Sequence, residues 1–99
     1  MITFNDKLKE EFPGVWEEGL LVADGFEDAF MGVGNQFSQT VAVYNRDKCI
    51  DILIMRDGMD REEAEEYFEY NVQGAYVGEN TPVFLELNIE NNKKINPFN

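Results

Sequence analysis

Between Asp57 and Glu69 the chain places Asp57, Asp60, Glu62, Glu63, Glu65, Glu66 and Glu69 against a single base, Arg61. Carboxylates at this density have two chemical uses: they can share a hard cation, or they can present negative charge to a groove lined by arginine and lysine. Glu62, Glu65, Glu66 and Glu69 recur at steps of three and four, which a helix sets about 4.5–6 Å apart along its axis. That is the order of the phosphate repeat along one duplex strand, roughly 3.4 Å of axis. Like charges so spaced oppose their own helix by about 0.2–0.5 kcal/mol per pair. Two readings stand side by side: a solvated acidic face, or a surface that imitates a phosphate backbone and binds a basic partner. On the second reading Glu62, Glu65, Glu66 and Glu69 carry the contact, aided by Glu27 and Asp28. Tyr70 then either adds an exposed aromatic contact or snorkels beside the core.

The remaining constellations are weaker. Asp24-Gly25-Phe26-Glu27-Asp28 gathers three carboxylates beside a turn, the basis of an alternative reading as a carboxylate-dependent, metal-binding enzyme. EF-hand spacing is absent and the adjacent Glu27 and Asp28 tend to diverge, so a polar turn is preferred and no metal site is assigned. Gly32-Val33-Gly34-Asn35-Gln36 has two glycines of a phosphate loop but neither the third glycine nor the lysine. The chain has no histidine, which excludes within it a Ser–His–Asp triad and a Cys–His pair. Cys49 falls on an apolar helical stripe and reads as a packed thiol. No catalytic residue and no cofactor is assigned, and a binding protein is expected rather than an enzyme.

Twenty acidic residues against eight basic ones give a net charge of −12. Such a surface repels nucleic acid and anionic membranes, so no direct nucleic-acid binding and no membrane association are expected. No apolar run approaches the roughly 20 residues that span a bilayer, and the first residues lack the basic and apolar regions of a secretory leader. With one cysteine there is no internal disulfide, which suits a reducing compartment. A length of 99 residues with 43% apolar content supports one core, expected over residues 1–90 and followed by a flexible tail at 91–99. A monomer or dimer is expected.

The elements that must position these residues follow from periodicity and punctuation. A short N-terminal helix runs from a cap at Asn5 through Leu8 to Phe12 and stops at Pro13-Gly14, with Trp16 beyond it as a core anchor or an exposed aromatic. Strands are expected near 19–24, 29–36, 40–45 and 83–90, paired antiparallel because so little sequence separates the first three. Asn45 or Asp47 caps a helix near 46–57 with Cys49, Ile50, Leu53 and Ile54 on one stripe and Gly58 at its C-terminus. Asp60 and Glu63 form a capping box, with Met59 and Ala64 at staple positions, for a second helix near 61–73. The expected fold is therefore α+β: a small antiparallel sheet of about four strands packed on a central helical hairpin. Its expected core is Leu21, Val22, Val41, Val43, Ile50, Leu53, Ile54, Ala64, Tyr67, Phe68, Val83, Leu85 and Leu87.

Several local runs also resemble a family of small uncharacterised acidic proteins encoded by tailed bacteriophages. They are Ala23-Asp24-Gly25-Phe26-Glu27-Asp28-Ala29-Phe30, Val41-Ala42-Val43-Tyr44 with Lys48-Cys49, and Arg56-Asp57-Gly58-Met59 with Glu62-Glu63-Ala64 and Glu66-Tyr67. Asn71-Val72, Gly74-Ala75-Tyr76-Val77-Gly78-Glu79 and Thr81-Pro82 complete them, so the resemblance spans about residues 20–84. It brings no site residue with it. It implies a viral context, the cytoplasm of an infected bacterial host, and stoichiometric inhibition of a host nucleic-acid-handling or defence protein. A structural or assembly role in the particle is the other class, and it would need an exposed apolar patch, which the assignment above does not leave.

Overall fold

The computed structural model describes residues 2–75 and 77–87. The proposed tail at 91–99 lies outside the described residues, as do residues 88–90 of the fourth expected strand. The order is α1 (Phe4–Glu11), α2 (Pro13–Glu17), a 3-10 turn (Glu27–Ala29), β1 (Phe30–Gln36), β2 (Gln39–Asn45), α3 (Arg46–Asp57), α4 (Arg61–Phe68), a π turn (Glu69–Gln73) and β3 (Val83–Leu85). The class is α+β, with a three-stranded sheet in the order β1-β2-β3.

The helical hairpin forms where its caps predict it. The Lys48 N–H donates to Asn45 Oδ1 at 3.1 Å to open α3, and Gly58, at φ 70°, closes it in the left-handed conformation that a side chain would resist. The Glu63 N–H donates to Asp60 Oδ1 at 2.9 Å while the Asp60 N–H donates to Glu63 Oε1 at 3.3 Å, completing the capping box of α4. Cys49, Ile50 and Leu53 of α3 and Ala64 and Phe68 of α4 are fully buried. Beyond Phe68 the helix widens, and the Gly74 N–H donates to Glu69 O at 2.9 Å across five residues. A Cβ on Gly74 would stand 2.8 Å from that same carbonyl, so the turn is closed by a residue without one. At the N-terminus the cap is Thr3 rather than Asn5: its hydroxyl accepts from the Asp6 N–H at 3.1 Å, and its own N–H donates to Asp6 Oδ2. That donated bond holds the Asp6 carboxyl below its usual range. Pro13 ends α1 and begins α2, where its missing N–H costs nothing.

The sheet departs from expectation in three respects. Residues 19–24 form no strand. The Ala23 N–H donates instead to the hydroxyl of Tyr44 at 2.8 Å, so a side chain takes the place of a ladder partner. Second, β3 runs parallel to β2, with Val43, Tyr44 and Asn45 opposite Val83, Phe84 and Leu85. The α3–α4 hairpin lies between these strands and supplies the long crossover that parallel pairing requires.

Third, the two faces of the sheet are exchanged. The residues turned to the helices are Ala42, Tyr44 and Phe84, not Val41, Val43, Val83 and Leu85. Tyr44 explains the choice. It sits edge-on to Phe30 at 5.6 Å and beside Phe84 at 5.7 Å, while Phe84 meets Phe68 at 5.0 Å and Phe68 meets Phe26 at 6.0 Å. This aromatic cluster buries more apolar area per position than valines would, and its one polar atom is satisfied by Ala23. Val22 and Ile54 pack at the margin of the core, Val41 and Val43 are half-buried, and Leu21, Val83, Leu85 and Leu87 are exposed. Tyr67 is 44% exposed because Ala64 and Phe68, one turn apart, define the buried stripe of α4.

The β1–β2 hairpin closes between Gln36 and Gln39, and Phe37 in the turn has φ 55° and is 99% exposed. A bulky residue in the left-handed region costs about 1–2 kcal/mol, a cost that asparagine largely avoids. Phe37→Asn is expected to raise stability by about 0.5–1 kcal/mol, read from the urea midpoint. A fall in the midpoint would show that the Phe37 ring makes contacts worth more than the strain.

Candidate docking face

The folded α4 divides its carboxylates into two groups. Arg61 Nε lies 3.2 Å from Glu65 one turn on, and its terminal nitrogens lie 3.5 Å from Asp47 and 3.6 Å from Asp51, binding α4 to α3. Arg46, whose side chain is only 12% exposed, places Nη2 2.9 Å from Glu69 and donates Nε–H to Gln73 Oε1 at 3.1 Å. Its guanidinium lies over the Phe68 ring at 5.7 Å, and Glu86 beyond β3 is 3.9 Å away. Glu65 and Glu69 therefore each have an internal base, Arg61 shared with Asp47 and Asp51 and Arg46 shared with Glu86. Glu62 and Glu66 have no base within salt-bridge distance among the described residues.

Beside Glu66 the surface is aromatic. Met59, Glu63, Glu66, Tyr67, Tyr70 and Asn71 line a shallow hollow of about 360 Å³. Tyr70 is 87% exposed, which resolves its two sequence readings in favour of exposure. The Asn71 side-chain N–H donates to Tyr67 O at 3.1 Å and fixes the rim of the hollow. Phenol rings beside carboxylates suit a guanidinium, which can stack on the ring while donating to the acid. Tyr67, Glu63, Met59 and Asn71 were not among the sequence-predicted contacts. Their signal was available, since 59, 63, 66, 67 and 70 follow steps of three and four on one helical face.

The other sequence candidates lie elsewhere. Glu27 Oε1 accepts from the Gly25 N–H at 3.0 Å, and Asp28 lines a separate groove of about 610 Å³ with Gly25, Lys48, Asp51, Ile52, Met55 and Arg56. Arg56 closes one end of that groove, donating to Gly25 O at 2.9 Å, stacked on Phe26 at 5.5 Å and paired with Asp57 at 3.1 Å. Glu27 and Asp28 thus do not line the hollow beside Glu66, and neither does Glu62, one turn before Glu66 on α4. Nor do Asp24, Glu27 and Asp28 converge, and no cluster of three potential ligands exists among the described residues. Gly32 to Gln36 lie inside β1 and offer no phosphate loop.

Cys49 is fully buried, and loss of solvent pushes its thiol to about 12. Burial likewise raises the Tyr44 phenol. Trp16 is half-buried at the margin of the core, with the Lys9 ammonium 5.4 Å from its ring. Among the described residues no helix is long and apolar enough to cross a membrane. No protein-family model, no curated protein and no solved structure matches this chain.

Proposed function

We propose that the protein acts by stoichiometric binding to an arginine-bearing, nucleic-acid-contacting surface of another protein, and blocks that surface. The observation that carries the reading is the hollow on α4, where exposed Tyr67 and Tyr70 stand beside Glu66, a carboxylate without an internal base among the described residues. Tyrosines flanked by acids match the anchors of a protein interface. The net charge of −12 adds attraction to a basic partner over a longer range. In the phage context that the local runs resemble, the partner is a host nucleic-acid-binding or defence protein met in the infected cytoplasm.

The test begins with capture of partners from host lysate on the immobilised protein and proceeds by variants. Glu62→Gln with Glu66→Gln removes two free charges at constant shape, and Tyr70→Ser removes the anchor. Together they should weaken binding at least tenfold, flatten its salt dependence and leave the circular dichroism spectrum unchanged. Glu65→Gln with Glu69→Gln, which removes charges already held by Arg61 and Arg46, should weaken binding much less. Duplex DNA should compete with the protein for its partner. Equal losses from the two charge pairs, or binding indifferent to Tyr70, would refute the assignment of this face.

A further inference from the structure

The chain contains two Asp-Gly steps, Asp24-Gly25 and Asp57-Gly58. An aspartate before glycine can close on itself: the glycine nitrogen attacks the aspartate side-chain carbon, and a residue without Cβ leaves that approach open. An amide nitrogen attacks only as its proton departs, so a base resting on that proton speeds the closure. The fold treats the two steps oppositely. The Gly58 N–H donates to Ile54 O at 3.1 Å as the cap of α3, and Arg56 holds both oxygens of the Asp57 carboxylate, at 3.2 and 3.1 Å. That pairing keeps the Asp57 carboxyl below its usual range, in the charged form that resists attack. At the other step the Gly25 N–H donates to Glu27 Oε1 at 3.0 Å, so the proton to be removed already rests on a carboxylate. Asp24 is exposed and has no base within salt-bridge distance among the described residues. Arg56 Nη1 donates to Gly25 O at 2.9 Å and holds this glycine at φ 91°. Its positive charge therefore stands beside the residue whose nitrogen gains negative charge.

We propose that Asp24-Gly25 is a site of self-modification, at which Glu27 assists closure of Asp24 to a succinimide and so its conversion to isoaspartate. Glu27 takes the Gly25 amide proton, and the nitrogen forms a bond to Cγ of Asp24 in its acid form. The bond from Cγ to the hydroxyl then breaks, and the hydroxyl leaves as water with the proton that Glu27 returns. Water next opens the ring. Addition at Cγ restores aspartate, whereas addition at the main-chain carbonyl breaks the bond from that carbon to nitrogen and leaves the chain running through Cγ, one methylene longer. The sequence consumes one water after releasing one, changes no oxidation state and regenerates Glu27. The lengthened link falls between two anchored points. The Ala23 N–H donates to the Tyr44 hydroxyl at 2.8 Å, and Phe26 is buried with its ring 6.0 Å from that of Phe68. Isomerisation must displace one of them, so the modified chain loses either the partner of the Tyr44 hydroxyl or the seat of Phe26. The site is separate from the hollow on α4 and does not rest on the partner proposed for it.

Timed incubation of the full chain at neutral pH, folded and in denaturant, tests the proposal, with isoaspartate located by peptide mapping and enzymatic methyl labelling. In denaturant neither glycine is held, and the two steps should isomerise at similar rates. In the folded protein Asp24 should isomerise at least about tenfold faster than Asp57, since a positioned base is worth that much or more. A species lighter by one water should appear at Asp24 before the isoaspartate does. Glu27→Gln keeps an oxygen to accept the Gly25 N–H but removes the base. It should slow Asp24 at least about tenfold, leave Asp57 as it was and preserve the circular dichroism spectrum. Equal rates at the two steps in the folded protein overturn the proposal, a comparison that needs no variant to fold. So does a folded protein that forms no isoaspartate at Asp24 while the denatured chain converts, or a rate at Asp24 that folded Glu27→Gln leaves unchanged.

Discussion

Phe68→Ala is expected to cost about 3–5 kcal/mol, the range for removing a fully buried aromatic ring whose surroundings cannot collapse. Three elements rest on that ring: Phe26 from the loop before the 3-10 turn, Phe84 from β3, and the guanidinium of Arg46 from the start of α3. None can move into the vacated volume without leaving its own strand, helix or loop. The change also strips Arg46 of its aromatic support while leaving it tied to Glu69 and Gln73, so the C-terminal turn of α4 should loosen with the core. Chemical denaturation reads the loss. Leu53→Ala, fully buried on the facing helix, should cost about 2–5 kcal/mol. A loss below about 1 kcal/mol at Phe68 would mean that the aromatic cluster repacks freely and does not hold β3 in place.

The hairpin and the sheet were legible to different degrees, for physical reasons. The boundaries of α3 and α4 are written in local chemistry, in the side chains of Asn45, Asp60 and Glu63 and the backbone freedom of Gly58, none of which depends on distant partners. Strand parity is a tertiary property. Val41/Val43 and Val83/Leu85 alternate as cleanly as a buried face would, yet the alternation marks the side turned away from the helices, because Tyr44 brings both greater bulk and the hydroxyl that Ala23 needs. Parallel pairing of β3 was equally hidden, since it depends on the path of the hairpin between residues 45 and 83. At the candidate site the density of carboxylates on α4 was readable, but their division was not. Arg46 stands 23 residues before Glu69, and one-dimensional spacing cannot show that it folds back to pair with it. The aromatic rim carried a helical period and could have been found.

Cys49 turns this packing into a measurable quantity. Its thiol is completely enclosed and raised from an ordinary 9.0 to about 12, so at neutral pH the native protein holds about a thousandfold less thiolate than the unfolded chain. Only the thiolate is alkylated, and only when a reagent can reach it. Modification by iodoacetamide is therefore expected at least about a thousandfold more slowly in buffer than in denaturant, with the residual rate set by transient opening of the core. Comparable rates would mean that α3 lifts from the sheet in the native state. In Phe68→Ala the native-state rate should rise by about 10²–10⁴, the factor that a loss of about 3–5 kcal/mol gives to the open population. The pH dependence has a fixed sign. A thiol that ionises less readily when folded contributes its full share to stability below pH 9, and that share is lost as pH rises toward 12 because the unfolded chain releases its proton first. Replacing Cys49 by alanine should remove this alkaline component, so the difference in stability between wild type and variant should shrink as pH rises through that window. A difference that stayed constant would show that the thiol ionises as readily inside the fold as outside it.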